Sequence, residues 1–87
     1  MYQATFDEEW PNYFEALENS LKDRVAKKIQ KIAETPEKRH LKLGVSFFIG
    51  EVGQHRIVYR IFEEKKEVRF YFVGNHKEYE KWYKRFF

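Results

Sequence analysis

The stretch VGQHRIVYRI, Val52 to Ile61, decides the fold. From His55 onward Ile57, Tyr59 and Ile61 share one side, while Arg56, Val58 and Arg60 share the other. A period of two is the pattern of a half-buried strand. The side with the isoleucines needs a cover of helices, and the side with the arginines suits a polyanion. His55 alternates with Arg56, so it falls on the helix side and reads as a partly buried histidine.

The neighbouring segments keep the same period. VSFFIGEV (45–52) reads as a strand in which Gly50 marks either a bulge or a close backbone approach. HRIVYRIFEE (55–64) comes next, then EEKK (63–66) as a polar turn, then EVRFYFVG (67–74). In that last strand Val68, Phe70 and Phe72 are expected on one face, with Arg69, Tyr71 and Val73 on the other. Short turns make the three strands antiparallel. The closing segment NHKEYEKWYKRFF (75–87) reads as a helix. Asn75 and Glu78 form a capping box, and Tyr79, Trp82, Tyr83 and Phe86 form a stripe at i, i+3, i+4 and i+7. The sheet is its default cover, and a partner is the alternative.

Toward the N-terminus, YQATF (2–6) is a short strand with Tyr2, Ala4 and Phe6 on one face. Asp7 is placed to cap a helix beginning just after it, and Pro11 suits a first helical turn. Phe14, Leu17 and Leu21, then Val25, Ile29 and Ile32, recur at helical spacing. Ser20 and Asp23 resemble a second capping box. Residues 7–34 therefore predict an antiparallel helix pair, or one long helix broken near Asn19–Ser20. Pro36 ends the helix by disfavouring the helical conformation at Thr35. Residues 35–44 are a linker. The order β-α-α-β-β-β-α is an α+β domain, residues 1–87, with helices packed on an antiparallel sheet.

Composition narrows the function. Eighty-seven residues make one domain, and 17 aromatics supply its core. There is no cysteine, and His40, His55 and His76 have no short ligand spacing, so neither a disulfide framework nor a metal site is expected. No apolar run approaches the ~20 residues of a membrane span. The N-terminus lacks the pattern of a signal peptide, so a soluble cytoplasmic protein is expected. Charged residues at 36% with one Met lean toward a thermophilic source. The net charge of +3 hides an asymmetry. Residues 1–20 carry five acids and no Lys or Arg, whereas residues 21–42 carry eight bases against three acids. Such a division suggests an anionic partner for part of the surface. The basic face of KDRVAKKIQK by itself reads as solvated helix.

The strings HLKLGVSFFIGEVGQHRIVYRI and VRFYFVGNHKEYEKWYKRF, with LENSLKDRVAKKIQKIAETP before them, resemble the RelE/ParE superfamily of toxins from type II toxin–antitoxin systems. GQHRIVYRI followed by VGNHKEY carries most of the likeness. GNHKEY is similar to the GTHxEY pattern of HigB toxins. The resemblance implies a metal-independent endoribonuclease that cleaves mRNA on the ribosome and inhibits translation. It also implies a cognate antitoxin as partner, mRNA on the ribosome as substrate, and no cofactor. The family's strand arginine falls on Arg56, and the groups just after its last strand fall on Asn75, His76 and Lys77. Many RelE-type nucleases also carry Lys or Arg on the strand before the arginine strand. Here that strand is FFIGEV, apolar except for Glu51, which leaves a Glu/Arg/His site similar to that of YoeB. The resemblance equally admits a ParE-like toxin that binds a DNA topoisomerase, or an inactive homologue that only holds an antitoxin.

Metal-free RNA cleavage needs a base for the ribose 2′-OH, an acid for the leaving oxygen, and positive charge on the phosphorane between them. Arg56 suits the last role, because its planar fork matches two phosphate oxygens. Glu51 or His76 is the candidate base, and His76 or Tyr79 the candidate acid. His76 falls in a first helical turn, where the helix dipole disfavours its charged form; that makes it an acid–base candidate near neutrality. Arg60, Lys77, Lys42 and His40 are candidate RNA contacts. The structural alternatives are an open sheet face covered by Arg56 and Arg60 and paired to Glu51 or Glu67, a surface residue for His76, a core aromatic for Tyr79 and a plain linker for His40 and Lys42.

Overall fold

The computed structural model describes residues 1–36 and 47–86. The elements in chain order are β1 (Gln3–Phe6), α1 (Trp10–Phe14), α2 (Asn19–Glu34), β2 (Phe48–Val52), β3 (His55–Phe62), β4 (Glu67–Asn75) and α3 (His76–Tyr83), with a single 3-10 turn at Lys84–Phe86 after them. This is the β-α-α-β-β-β-α order expected from periodicity. The four strands form one sheet in the order β1-β4-β3-β2. The β2–β3 and β3–β4 pairs are antiparallel. The N-terminal strand β1 does not simply pack on the sheet: it joins it, parallel to β4, which makes the sheet mixed.

The helical boundaries obey local chemistry, with two departures from expectation. Helix α1 starts at Trp10, and Asp7 caps the turn before it: its Oδ2 accepts the Glu9 N–H at 3.2 Å and its carbonyl accepts the Trp10 N–H at 3.0 Å. Ser20 is not an N-cap. Helix α2 begins one residue earlier, and the Ser20 hydroxyl donates to Glu18 Oε1 at 3.1 Å, so no Ser20–Asp23 box forms. The break between the helices covers residues 15–18, and α2 stops at Glu34 ahead of Pro36 as expected.

The sheet is covered on both sides. On one side Trp10 of α1 and Leu21, Val25 and Ile32 of α2 pack on Ile57 and Tyr59 of β3 and on Val68, Phe70 and Val73 of β4. On the other, Tyr79 and Trp82 of α3 pack on Ile49, Val58 and Phe72. Gly50 marks a close approach and not a bulge, since the β2–β3 register is unbroken; a side-chain Cβ there would lie 3.1 Å from Ile32 Cδ1 of α2.

The expected faces of β4 need correction. Val58 pairs with Phe72 but Tyr59 pairs with Phe70, so one extra residue, Tyr71, is accommodated in β4. A bulge of this kind shifts the alternation by one. Phe72 therefore joins Tyr79 and Trp82, and Val73 joins the core under α1 and α2. Without the bulge, Phe72 would be lost from beneath α3, where its ring stacks 5.6 Å from that of Trp82.

Candidate functional site

The site forms where β4 runs into α3. Asn75 makes that junction: its Oδ1 accepts the Glu78 N–H at 2.9 Å, and Glu78 Oε1 accepts the Asn75 N–H at 2.8 Å. The capping box read from the sequence is thus present. It sets the direction of α3, and with it the positions of His76, Lys77 and Tyr79.

Arg56 lies on the α3 side of β3, directly across from Glu51 on β2 and from Gly74 on β4. Residues paired in this way point to the same face of the sheet. The Arg56 guanidinium carbon lies 4.8 Å from the centre of the Tyr79 ring. The Tyr79 ring is 6% exposed, so it serves as a buried floor under a half-buried cation. Its burial agrees with its place in the apolar stripe. Contact of this type is worth about 0.5–2 kcal/mol, rising as water is excluded. Gly74 is a position beside the candidate site that motif reading missed. A Cβ there would sit 2.6 Å from the Phe72 ring and 3.0 Å from Glu78 Oε1, so the strip beside Arg56 has to be backbone only. The requirement comes from a neighbour two residues away and a cap four residues away, and no local motif announces it.

His76 occupies the first turn of α3, three residues before Tyr79 and therefore on the same strip of the helix. Its Nε2 lies 3.0 Å from Glu80 Oε1. In the neutral ring this bond makes Nε2 the donor and leaves Nδ1 as the acceptor. Glu80 is a second residue that the motifs did not single out, though its i,i+4 spacing from His76 was readable. Lys77 is exposed in the same turn. Glu51, Arg56 and Tyr79 are thus gathered at one end of one sheet face, with His76 exposed on α3 one turn before Tyr79.

The remaining candidates fall elsewhere. Arg60 lies on the same face as Arg56, two pleats further along β3, with its guanidinium over Phe47 and Phe62. His55 lines a cavity of about 520 Å³ on the opposite face with Leu21, Val73 and Asn75, the partly buried position expected of it. His40 and Lys42 lie outside the described residues. Among the described residues no group of three or more His, Asp or Glu is arranged to hold a metal ion, and no helix is long and apolar enough to cross a membrane.

No family model and no curated protein matches the sequence. Solved structures do match, and they show the fold, which is that of RelE toxins. The isolated Escherichia coli RelE toxin is similar over 100% of both chains, with a TM-score of 0.76 at 22% identity. A chain of the intact E. coli RelBE toxin–antitoxin complex aligns over 86% of this chain and 96% of its own, at TM-score 0.76 and 23% identity. The toxin–antitoxin complex RelBE2 from Mycobacterium tuberculosis gives TM-score 0.77 at 19% identity, covering 86% of this chain and 98% of that one.

Proposed function

We propose that this chain is the toxin of a type II toxin–antitoxin pair and a metal-independent endoribonuclease that cleaves mRNA on the ribosome. The observation that carries the reading is the Arg56 guanidinium on the Tyr79 ring, with Glu51 across the strand pair and the His76–Glu80 pair one helical turn away. In the reaction Arg56 binds two non-bridging phosphate oxygens and stabilises the phosphorane. His76, through Nδ1, or Glu51 takes the 2′-OH proton. Attack of the 2′-oxygen on phosphorus then yields a cyclic phosphate. The departing 5′-oxygen receives a proton from the protonated imidazole of His76 or from the Tyr79 hydroxyl. An antitoxin as partner and a cytoplasmic site of action belong to the same reading, and the complexes among the matched structures support the first.

The test is translation in vitro with purified protein. Cleaved mRNA that disappears with Arg56→Ala supports the reading. Intact mRNA with wild-type protein on translating ribosomes overturns it. One observation favours a second reading, a ParE-like toxin that acts by binding a topoisomerase: the residues leading to Glu51 on this face are Phe47, just before β2, and Ile49, which bring no positive charge. Growth arrest with intact mRNA would select it.

A further inference from the structure

Arg60 and Arg69 face each other across the β3–β4 pair, on the same side of the sheet as Arg56. Like charges directly opposite in a sheet are destabilising. Among the described residues, the counter-charge within ion-pair distance is weak. Arg69 Nη2 lies 3.6 Å from Asp7 Oδ1, and among the described residues no carboxylate lies within ion-pair distance of Arg60. Aromatic rings surround both cations. The Arg60 guanidinium sits 5.7 Å from the Phe47 ring centre, Arg69 sits 5.8 Å from that of Tyr71, and Phe47 and Tyr71 meet edge to face at 5.3 Å. All four residues are partly exposed.

We infer that Arg60 and Arg69, floored by Phe47 and Tyr71, form a second contact for single-stranded RNA, separate from the Arg56 end of the same face. Paired guanidinium forks short of one counter-anion are complementary to a phosphodiester, and the adjacent rings offer stacking to any base. A hollow of about 240 Å³ beside them, walled by Phe47, Tyr71 and Trp82 with Asp7, Glu9 and Arg85 completing its lining, gives a base room to enter. Arg56 and Arg60 are four residues apart on one strand, roughly 13 Å, so one short RNA segment spans both contacts. The positive charge that β2 does not supply is in this way provided by β3 and β4. Asp7 competes with phosphate for Arg69, and so sets the strength of the contact.

The inference rests on the nuclease reading for its substrate, and the experiment separates the two. Binding of a fluorescent ten-nucleotide single-stranded RNA is followed by anisotropy across a salt series, beside mRNA cleavage on ribosomes. The double variant Arg60→Gln/Arg69→Gln is expected to bind the oligonucleotide more than tenfold more weakly, and its log–log salt slope to be shallower by about 1.4, two phosphate contacts at ~0.7 each. Lys27→Gln/Lys31→Gln, which removes equal charge from the exposed face of α2, is expected to leave the slope near that of wild type. Asp7→Asn retains the turn-capping oxygen, and is expected to tighten binding. Equal binding by the two double variants, or no RNA binding by the wild type, overturns the inference. If the wild type cleaves mRNA and Arg60→Gln/Arg69→Gln does so with unchanged apparent KM, the inference fails while the nuclease reading stands.

Discussion

Removing the Arg56 guanidinium separates chemistry from stability. In Arg56→Ala the cation–π contact with Tyr79 at 4.8 Å is lost, together with packing of the arginine stem over a buried ring. For a half-buried arginine that amounts to about 1 kcal/mol. In a domain of this size it lowers the melting temperature by roughly 4–8 °C. On the nuclease reading, the effect on cleavage is expected to be larger. Loss of one group aimed at the charge that develops on phosphorus costs about 3–4 kcal/mol of barrier, or 10²–10³ in rate. Arg56→Lys keeps the charge but not the fork, and is expected to recover part of that rate. The assay is single-turnover cleavage of a defined mRNA in a stalled ribosome, with urea titration of each variant in parallel. Cleavage by Arg56→Ala within threefold of wild type would refute the role given to Arg56. Unfolding of the variant at 25 °C would refute the placement of the side chain.

Three further outcomes are expected. Trp82→Ala removes a buried ring that contacts Phe47 at 5.3 Å and Phe72 at 5.6 Å, and is expected to destabilise by about 3–5 kcal/mol in urea unfolding. Gly74→Ala drives a methyl group into the Phe72 ring, and is expected to cost about 1–3 kcal/mol and to reduce cleavage by displacing α3. The Tyr2 hydroxyl donates to Glu63 Oε2 at 2.6 Å, and that bond first, then burial, then the charge of Glu63, raises its pKa above 10.0. A raised folded-state pKa means stability that is fully present below pH 10 and lost as pH rises through the folded value. Tyr2→Phe is therefore expected to melt below wild type at pH 8, with the gap closing in strongly alkaline buffer; a gap independent of pH would show that the bond contributes nothing.

Much of the fold was legible because its signals are local. The alternation of Ile57, Tyr59 and Ile61 placed β3 and its buried side. Pro36 ended α2, and Asn75 with Glu78 started α3. Each works through a neighbour within four residues or through a strict period. The bulge at Tyr71 was not legible, since EVRFYFVG alternates without interruption and only pairing with β3 reveals the extra residue. The parallel pairing of β1 with β4 joins residues more than 60 positions apart and leaves no trace in either segment. At the candidate site, Arg56 and His76 were singled out through the resemblance more than through spacing. The role of Tyr79 as the floor under Arg56, and the need for a bare backbone at Gly74, depend on how closely α3 lies on the sheet.

By itself the sequence determined which segments are strands and helices, which side of β3 is apolar, and that positive charge accumulates on the other side. Periodicity, caps and side-chain chemistry decide those matters over short distances. Tertiary structure decided which strands are neighbours, that the Phe72 ring turns toward α3, and that Arg60 meets Arg69. Those outcomes depend on strand register, and register is settled only when distant segments bury their apolar faces together.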